Sequence, residues 1–153
     1  MPEHLNAGDL CLRAVATAPR TLEVREAARL MREQHVGCLV VVDDAHAGRV
    51  PVGMLTDRDI VTAIVAQDMD PGSLRVEDVM SSAPALAHHR DSIPDVLAAM
   101  RRSGVRRLPV VDGLGVLMGV LTLDDVLEAI AEQLSALVEA MRSGRTHEAR
   151  LRP

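Results

Sequence analysis

The chain repeats itself. Gly53-Met-Leu-Thr56-Asp57-Arg58-Asp59-Ile60 returns as Gly119-Val-Leu-Thr122-Leu123-Asp124-Asp125-Val126. Each copy follows an apolar run, Gly37-Cys-Leu-Val-Val-Val-Asp43 or Arg107-Leu-Pro-Val-Val-Asp112, and a helix-like stretch that carries Met31 or Met100. The two copies are offset by 69 residues from Val24 to Asp43 and by 66 from Gly53 onward, because the second hairpin is three residues shorter. Each unit, at about 60 residues, is marginal for an independent core, so two units that bury each other's open faces are the expected solution. One short polar motif per unit then predicts paired, equivalent sites.

The periodicity places the motifs. Val24, Ala27, Ala28 and Met31 keep helical spacing, and the helix is expected to end near His35. Residues 37–42 and 50–55 read as strands joined by a polar loop, and Asp57 starts a helix closed by Asp70-Pro71-Gly72. Residues 1–13 read as a lead-in, and 73–83 as a link with a helical turn around Val76–Met80. The second copy repeats the order: an extended 85–88, a helix from Ser92 to Ser103 stopped by Gly104, a strand 107–111, an Asp112-Gly113 hairpin, a strand 116–121 and a helix from Leu123. That last helix carries Leu123, Val126, Leu127, Ile130, Leu134, Leu137, Val138 and Met141 at 3–4 spacing, more apolar surface than one repeat needs. Ser143-Gly144 is its expected stop, followed by a loose polar tail over 143–153.

Gly-x-x-Thr-x-x-Asp sits where a strand becomes a helix, and two compatible jobs fit it. One is capping: Thr56 and Thr122 as N-caps, with Asp59 and Asp125 three residues on. The other is binding: a hydroxyl and free amides suit phosphate, and a carboxylate can accept hydrogen bonds from a ribose diol.

Composition narrows the partners. The net charge of −5 argues against a nucleic acid held through its phosphates. No apolar run approaches the ~20 residues needed to cross a bilayer, and no signal peptide is read, so a cytoplasmic location is expected. Cys11 and Cys38 form no CxxC, and Cys38 reads as a small core hydrophobe. Phe, Tyr and Trp are absent, so a bound base must be held between aliphatic side chains. His88-His89 with Asp91, and Asp43-Asp44 with His46, lack the spacing of a closed zinc site and read as surface loops. No nucleophile–base pair or Walker-type loop is visible, which leaves an enzyme acting on a nucleotide as a remote third reading.

Helix, strand, strand, helix in tandem, with Val-Arg-Arg-Leu-Pro-Val-Val-Asp and Gly-Met-Leu-Thr-Asp-Arg-Asp, resembles a pair of cystathionine β-synthase (CBS) domains, also called a Bateman module, over about residues 10–135. The resemblance implies an α/β (α+β) fold of two β-α-β-β-α repeats packed with pseudo-two-fold symmetry. They would span 10–70 and 85–142 around a linker 71–84, and leave two clefts for adenosyl ligands such as AMP, ADP, ATP or S-adenosylmethionine. Carried over, the first cleft would hold Met54, Thr56 and Asp59, facing Ala85, Leu86, Arg106 and Arg107. Asp59 would take the ribose and the arginines the phosphate. The second cleft would combine Val120, Thr122 and Asp125 with Thr17, Ala18 and Cys38. Gly37-Cys38 stands there in place of Arg106-Arg107, so this cleft is expected to lack a cation for phosphate and to bind more weakly. The implied function is a regulatory, non-catalytic nucleotide-sensing module, homodimeric through the apolar stripe of the last helix, with a protein partner in trans. The alternative is a structural dimerisation module with degenerate, non-binding clefts.

Overall fold

A computed structural model describes residues 5–152. The first repeat contains β1 (Thr17–Pro19), α2 (Val24–Gln34), β2 (Cys38–Ala45), β3 (Gly48–Thr56) and α3 (Asp57–Ile60), which continues as a π-helical turn over Val61–Val65; a short α1 (Ala7–Leu10) precedes it. After α4 (Val76–Val79) and β4 (Ser81–Ser82), the second repeat contains β5 (Ala87–His88), α5 (Ile93–Ser103), β6 (Arg107–Val111), β7 (Leu117–Thr122) and α6 (Leu123–Leu151). One sheet has the order β1-β2-β3-β4 and the other β5-β6-β7. In each, the first strand pairs parallel and the hairpin antiparallel, with a bulge at the same place, Val41/Val42 and Val110/Val111.

The first hairpin differs from the expected form. Its strands run on through the polar stretch, so the loop shrinks to the residues between Ala45 and Gly48. In the second hairpin the turn spans Asp112 to Val116. The Asp112 carboxylate accepts from the Leu114 and Val116 amides at 2.8 and 3.0 Å, and Gly115, not Gly113, takes the positive φ of 79°.

Two cores lie behind the two sheets, and each is completed from the other half. Val76 of α4 is fully buried with Ala18, Ala27, Met31, Leu39, Val41 and Leu55 of the first repeat. Ala7 and Cys11, around α1, are buried with Ala87, Val96, Met100, Leu108, Leu121 and Val126 of the second. The stretch expected to be a lead-in is therefore a core element of the distant repeat. Backbone pairs fix both crossings: Leu12 bridges Val120 as Ser81 pairs with Met54, and Asn6 bridges Ser92 as Arg75 bridges Glu23.

The motif glycines make these crossings possible. A Cβ on Gly119 would stand 2.6 Å from the Leu12 carbonyl oxygen and 2.8 Å from Cys11 Sγ. A Cβ on Gly53 would meet the Met80 side chain, and the Ser81 carbonyl oxygen at 3.0 Å. Only glycine lets a second backbone run this close over the strand.

The helix ends show the same duplication with different residues. α2 stops at His35 in the left-handed region (φ 54°), and α5 stops at Gly104 in the same conformation (φ 64°). α6 corrects the expected stop at Ser143-Gly144: it continues as helix to Leu151. Glycine inside a helix costs only about 1 kcal/mol relative to alanine, so a lone Gly with no left-handed cap does not end a long helix. Every residue from 131 to 152 is exposed, so the distal half of α6 stands clear of both cores. Among the described residues, no helix is long and apolar enough to cross a membrane.

Candidate nucleotide-binding clefts

Each Thr–Asp motif closes a reciprocal cap. The Asp59 amide donates to Thr56 Oγ1 at 3.1 Å and the Thr56 amide donates to Asp59 Oδ2 at 2.8 Å. Thr122 and Asp125 do the same at 3.1 and 3.0 Å. The capping job is thus real in both copies. It engages one carboxylate oxygen of each aspartate and leaves the other without a hydrogen bond among the described residues. Both motifs also border a cavity, so the capping role leaves room for a binding one.

The first cavity has about 300 Å³ and is lined by Met54, Thr56, Asp59, Ala85, Arg106 and Arg107, together with Cys38, Ser81, Pro84 and Val105. Six of the seven residues expected there come together. Leu86 does not: just ahead of β5 it is 38% exposed and does not line the cavity, while Ala85 lines it and Ala87 is buried in the core.

The second cavity, also about 300 Å³, is bordered by Cys38, Val120, Thr122 and Asp125 as expected. Thr17 and Ala18 do not line it. Ala18 is buried in the first core, and Thr17 accepts from Arg49 Nη1 at 3.2 Å. The residue in that place is Ala16, just ahead of β1 and the equivalent of Ala85 at the 69-residue offset; the expectation ran one residue late. Val36 and Leu12 also line this cavity, as Val105 and Ser81 line the first. These pairs were missed, although the same offset applied to any member of one cleft finds its mate in the other.

The expected lack of a cation in the second cleft is corrected as well. Arg107 borders both cavities, and so does Cys38, its repeat equivalent. They begin β6 and β2 opposite Thr122 and Thr56, at the seam between the repeats, so each side chain reaches both sides. The charge difference is therefore two arginines against one. The extra cation, Arg106, is well exposed and 3.8 Å from Asp124. Burial pushes the Cys38 thiol up to about 11, against the opposing pull of Arg107, so it is a neutral SH in the physiological range.

The histidine-containing loops are occupied otherwise. Asp43 pairs with Arg20 through two hydrogen bonds, and that partner holds its carboxyl below the usual range. Asp91 accepts from the His88 amide at 2.9 Å. His89 departs from the surface reading: its Nδ1 is buried without a hydrogen-bond partner.

The CBS domain pattern matches this chain twice, over residues 7–66 and 76–132. The matches begin at α1 and α4, in keeping with the crossed cores. The CBS domain-containing protein YhcV of Bacillus subtilis is 38% identical over 112 residues, 73% of this chain and 76% of its own length. An uncharacterised protein of Methanopyrus kandleri is 30% identical over 138 residues, 90% of this chain and 69% of its own. Among solved structures, a putative signal-transduction protein with CBS domains from Burkholderia ambifaria superposes with a TM-score of 0.67 at 30% identity, covering 77% of this chain and 83% of that one. A CBS domain pair solved in complex with 5′-methylthioadenosine and S-adenosyl-L-methionine has a TM-score of 0.72 over 86% of this chain and 99% of its own; at 24% identity the likeness is one of fold. With two matched repeats, two crossed cores and two equivalent clefts, the chain belongs to the CBS domain family as a tandem pair.

Proposed function

We propose that this protein is a regulatory module without chemistry of its own, which binds an adenine-bearing small molecule in its clefts. AMP, ADP, ATP and S-adenosylmethionine are the ligands that fit the reading. The observation that carries it is the duplicated cleft. Two cavities of about 300 Å³, at the small end of ligand-sized pockets, each combine apolar walls with one half-free carboxylate and a shared arginine. Asp59 and Asp125 are suited to a ribose diol, Met54 and Val105 or Val120 and Val36 to the faces of a base, and Arg107 to phosphate. A related fold crystallised with two adenosyl compounds supports this ligand class. Arg106 adds a second cation to the first cleft alone, so phosphorylated ligands favour that cleft, and an uncharged adenosyl group is as well suited to the second.

A ligand that touches both repeats favours one of their relative arrangements, and a homodimer passes that shift to a protein partner in trans. The test uses the missing aromatic residues: bound adenine stands out at 260 nm against a nearly blank protein. Calorimetric titration with AMP, ATP and S-adenosylmethionine then gives site number and affinity. Asp59→Asn keeps the acceptor for the cap while removing the charge, and should weaken the first cleft alone. Arg107→Ala should weaken phosphorylated ligands in both clefts by about 10- to 100-fold, the worth of one charge-assisted hydrogen bond. If none of the three compounds binds, the reading fails and the structural dimerisation module replaces it.

A further inference from the structure

The distal half of α6 is a helix with nothing of its own to pack on. Between Leu127 and Met141 every heptad position that would form a seam is apolar: Leu127, Ile130, Leu134, Leu137 and Met141. Leu134 and Leu137 are each 58% exposed. A 3–4 repeat of 3.5 residues, not 3.6, marks a seam for another helix. Helices in proteins draw most of their stability from packing an apolar face, so a partner is the physical counterpart of this exposed stripe.

The charges on α6 name the partner and its direction. From Leu123 to Glu139 the helix carries Asp124, Asp125, Glu128, Glu132 and Glu139 and no Lys or Arg. From 140 to 151 it carries Arg142, Arg145 and Arg150 against Glu148 alone, and Arg152 caps it. Parallel copies would set acid on acid and base on base. Antiparallel copies set the acidic half of each along the basic half of the other. The register that keeps all seam layers free of charge places Leu134 opposite Leu137 of the second copy, Ile130 opposite Met141 and Leu127 opposite Gly144. In that register Asp124 and Arg145 of opposite copies flank the seam, at positions whose charges set helix orientation.

We infer that two copies of this chain associate through an antiparallel pair of α6 helices, with Leu134 and Leu137 at its centre. The inference rests on the homodimer reading above, with the α6 stripe as its surface, and adds the register and the polarity; ligand binding is independent of it. The pair holds the two clefts of one copy at a fixed distance from those of the other, along a rod of roughly 27 Å over residues 127–144 at about 1.5 Å per residue.

The test is the mass of the full chain by light scattering and sedimentation equilibrium, with helicity and nucleotide titration as checks of folding. The wild-type chain should be a dimer. Leu134→Glu with Leu137→Glu, both at exposed positions, should raise the dimer Kd at least 100-fold and leave nucleotide affinity unchanged. Arg145→Glu should weaken the dimer, and Asp124→Arg added to it should restore the affinity. A monomeric or higher-order wild type overturns the pair and the homodimer with it. A wild-type dimer indifferent to the Leu134 and Leu137 changes overturns the α6 surface and leaves the homodimer standing. Loss at Arg145→Glu without rescue overturns the antiparallel order. A wild-type dimer that the Leu134 and Leu137 changes dissociate, and that binds none of the nucleotides, supports the helix pair while sinking the ligand reading.

Discussion

The sharpest consequence of the crossed cores concerns one methyl group. In Gly119→Ala the new Cβ would be 2.6 Å from the Leu12 carbonyl oxygen, 2.8 Å from Cys11 Sγ and 3.1 Å from the Leu12 carbonyl carbon. Two of these atoms are backbone and cannot rotate away. Relief requires the N-terminal segment to lift, and that segment is tied to the strand by two hydrogen bonds, Leu12 amide to Val120 carbonyl at 2.9 Å and Val120 amide to Leu12 carbonyl at 3.0 Å. Overpacking costs about 1–3 kcal/mol. Each weakened hydrogen bond adds up to about 1 kcal/mol. The smaller conformational freedom of the unfolded alanine chain returns about 0.4–1 kcal/mol. The net is a loss of about 3 kcal/mol, or a fall in Tm of about 6–12 °C for a chain of this size. Gly53→Ala is the internal control. There the nearest obstacle is the flexible Met80 side chain, and the Ser81 oxygen at 3.0 Å leaves a milder conflict, so the expected cost is about 1 kcal/mol. Thermal unfolding followed by circular dichroism at 222 nm reads both, since no aromatic residue is present to report. A Gly119→Ala protein within 2 °C of wild type, or one less affected than Gly53→Ala, would refute the close-crossing argument.

Two further outcomes follow from local geometry. His35→Gly should stabilise the protein by about 1 kcal/mol, because His35 holds a left-handed conformation that Gly104 occupies freely in the other repeat; a lower Tm would contradict this. The Cys38 thiol, raised to about 11 from an ordinary 9.0, keeps its proton in the folded state where the unfolded chain has lost it. Stability should therefore fall as pH rises from about 9 to 11, and less so in Cys38→Ala. Urea titrations of both proteins at pH 8 and 10.5 compare the two slopes.

What was legible in the sequence was what repeats. The tandem units, the order of helix and strands, and the capping pairs Thr56–Asp59 and Thr122–Asp125 follow from period and offset, while most of the first cleft's lining and part of the second's came from the resemblance to CBS pairs. What escaped was carried by segments too short to have a period. α1 spans Ala7–Leu10 and α4 spans Val76–Val79, four residues each, and a single turn cannot announce which core it will fill. The slip from Ala16 to Thr17 and Ala18 came with the carry-over from the family, and Ala16 stands just ahead of a three-residue strand, too short for a period to say which residue meets the cleft. The shared position of Arg107 was hidden for another reason. It comes from the packing of one repeat against the other, and a residue at the seam of a pseudo-two-fold belongs to both sides at once. The end of α6 was misjudged because Gly144 signals a stop only when the chain turns left-handed there.

The exchange of α1 and α4 between the cores has a bearing on what half of this molecule could be. Residues 5–70 alone hold a helix that fits a core they do not contain, and a core missing the helix that should fill it. Two such halves satisfy each other by trading their N-terminal turns, as in a domain-swapped pair. The tandem chain is that trade made permanent by the stretch between Val65 and Val76. The cut that would separate the halves need not destroy the assembly: it would turn a folding reaction set by loop closure into one set by protein concentration.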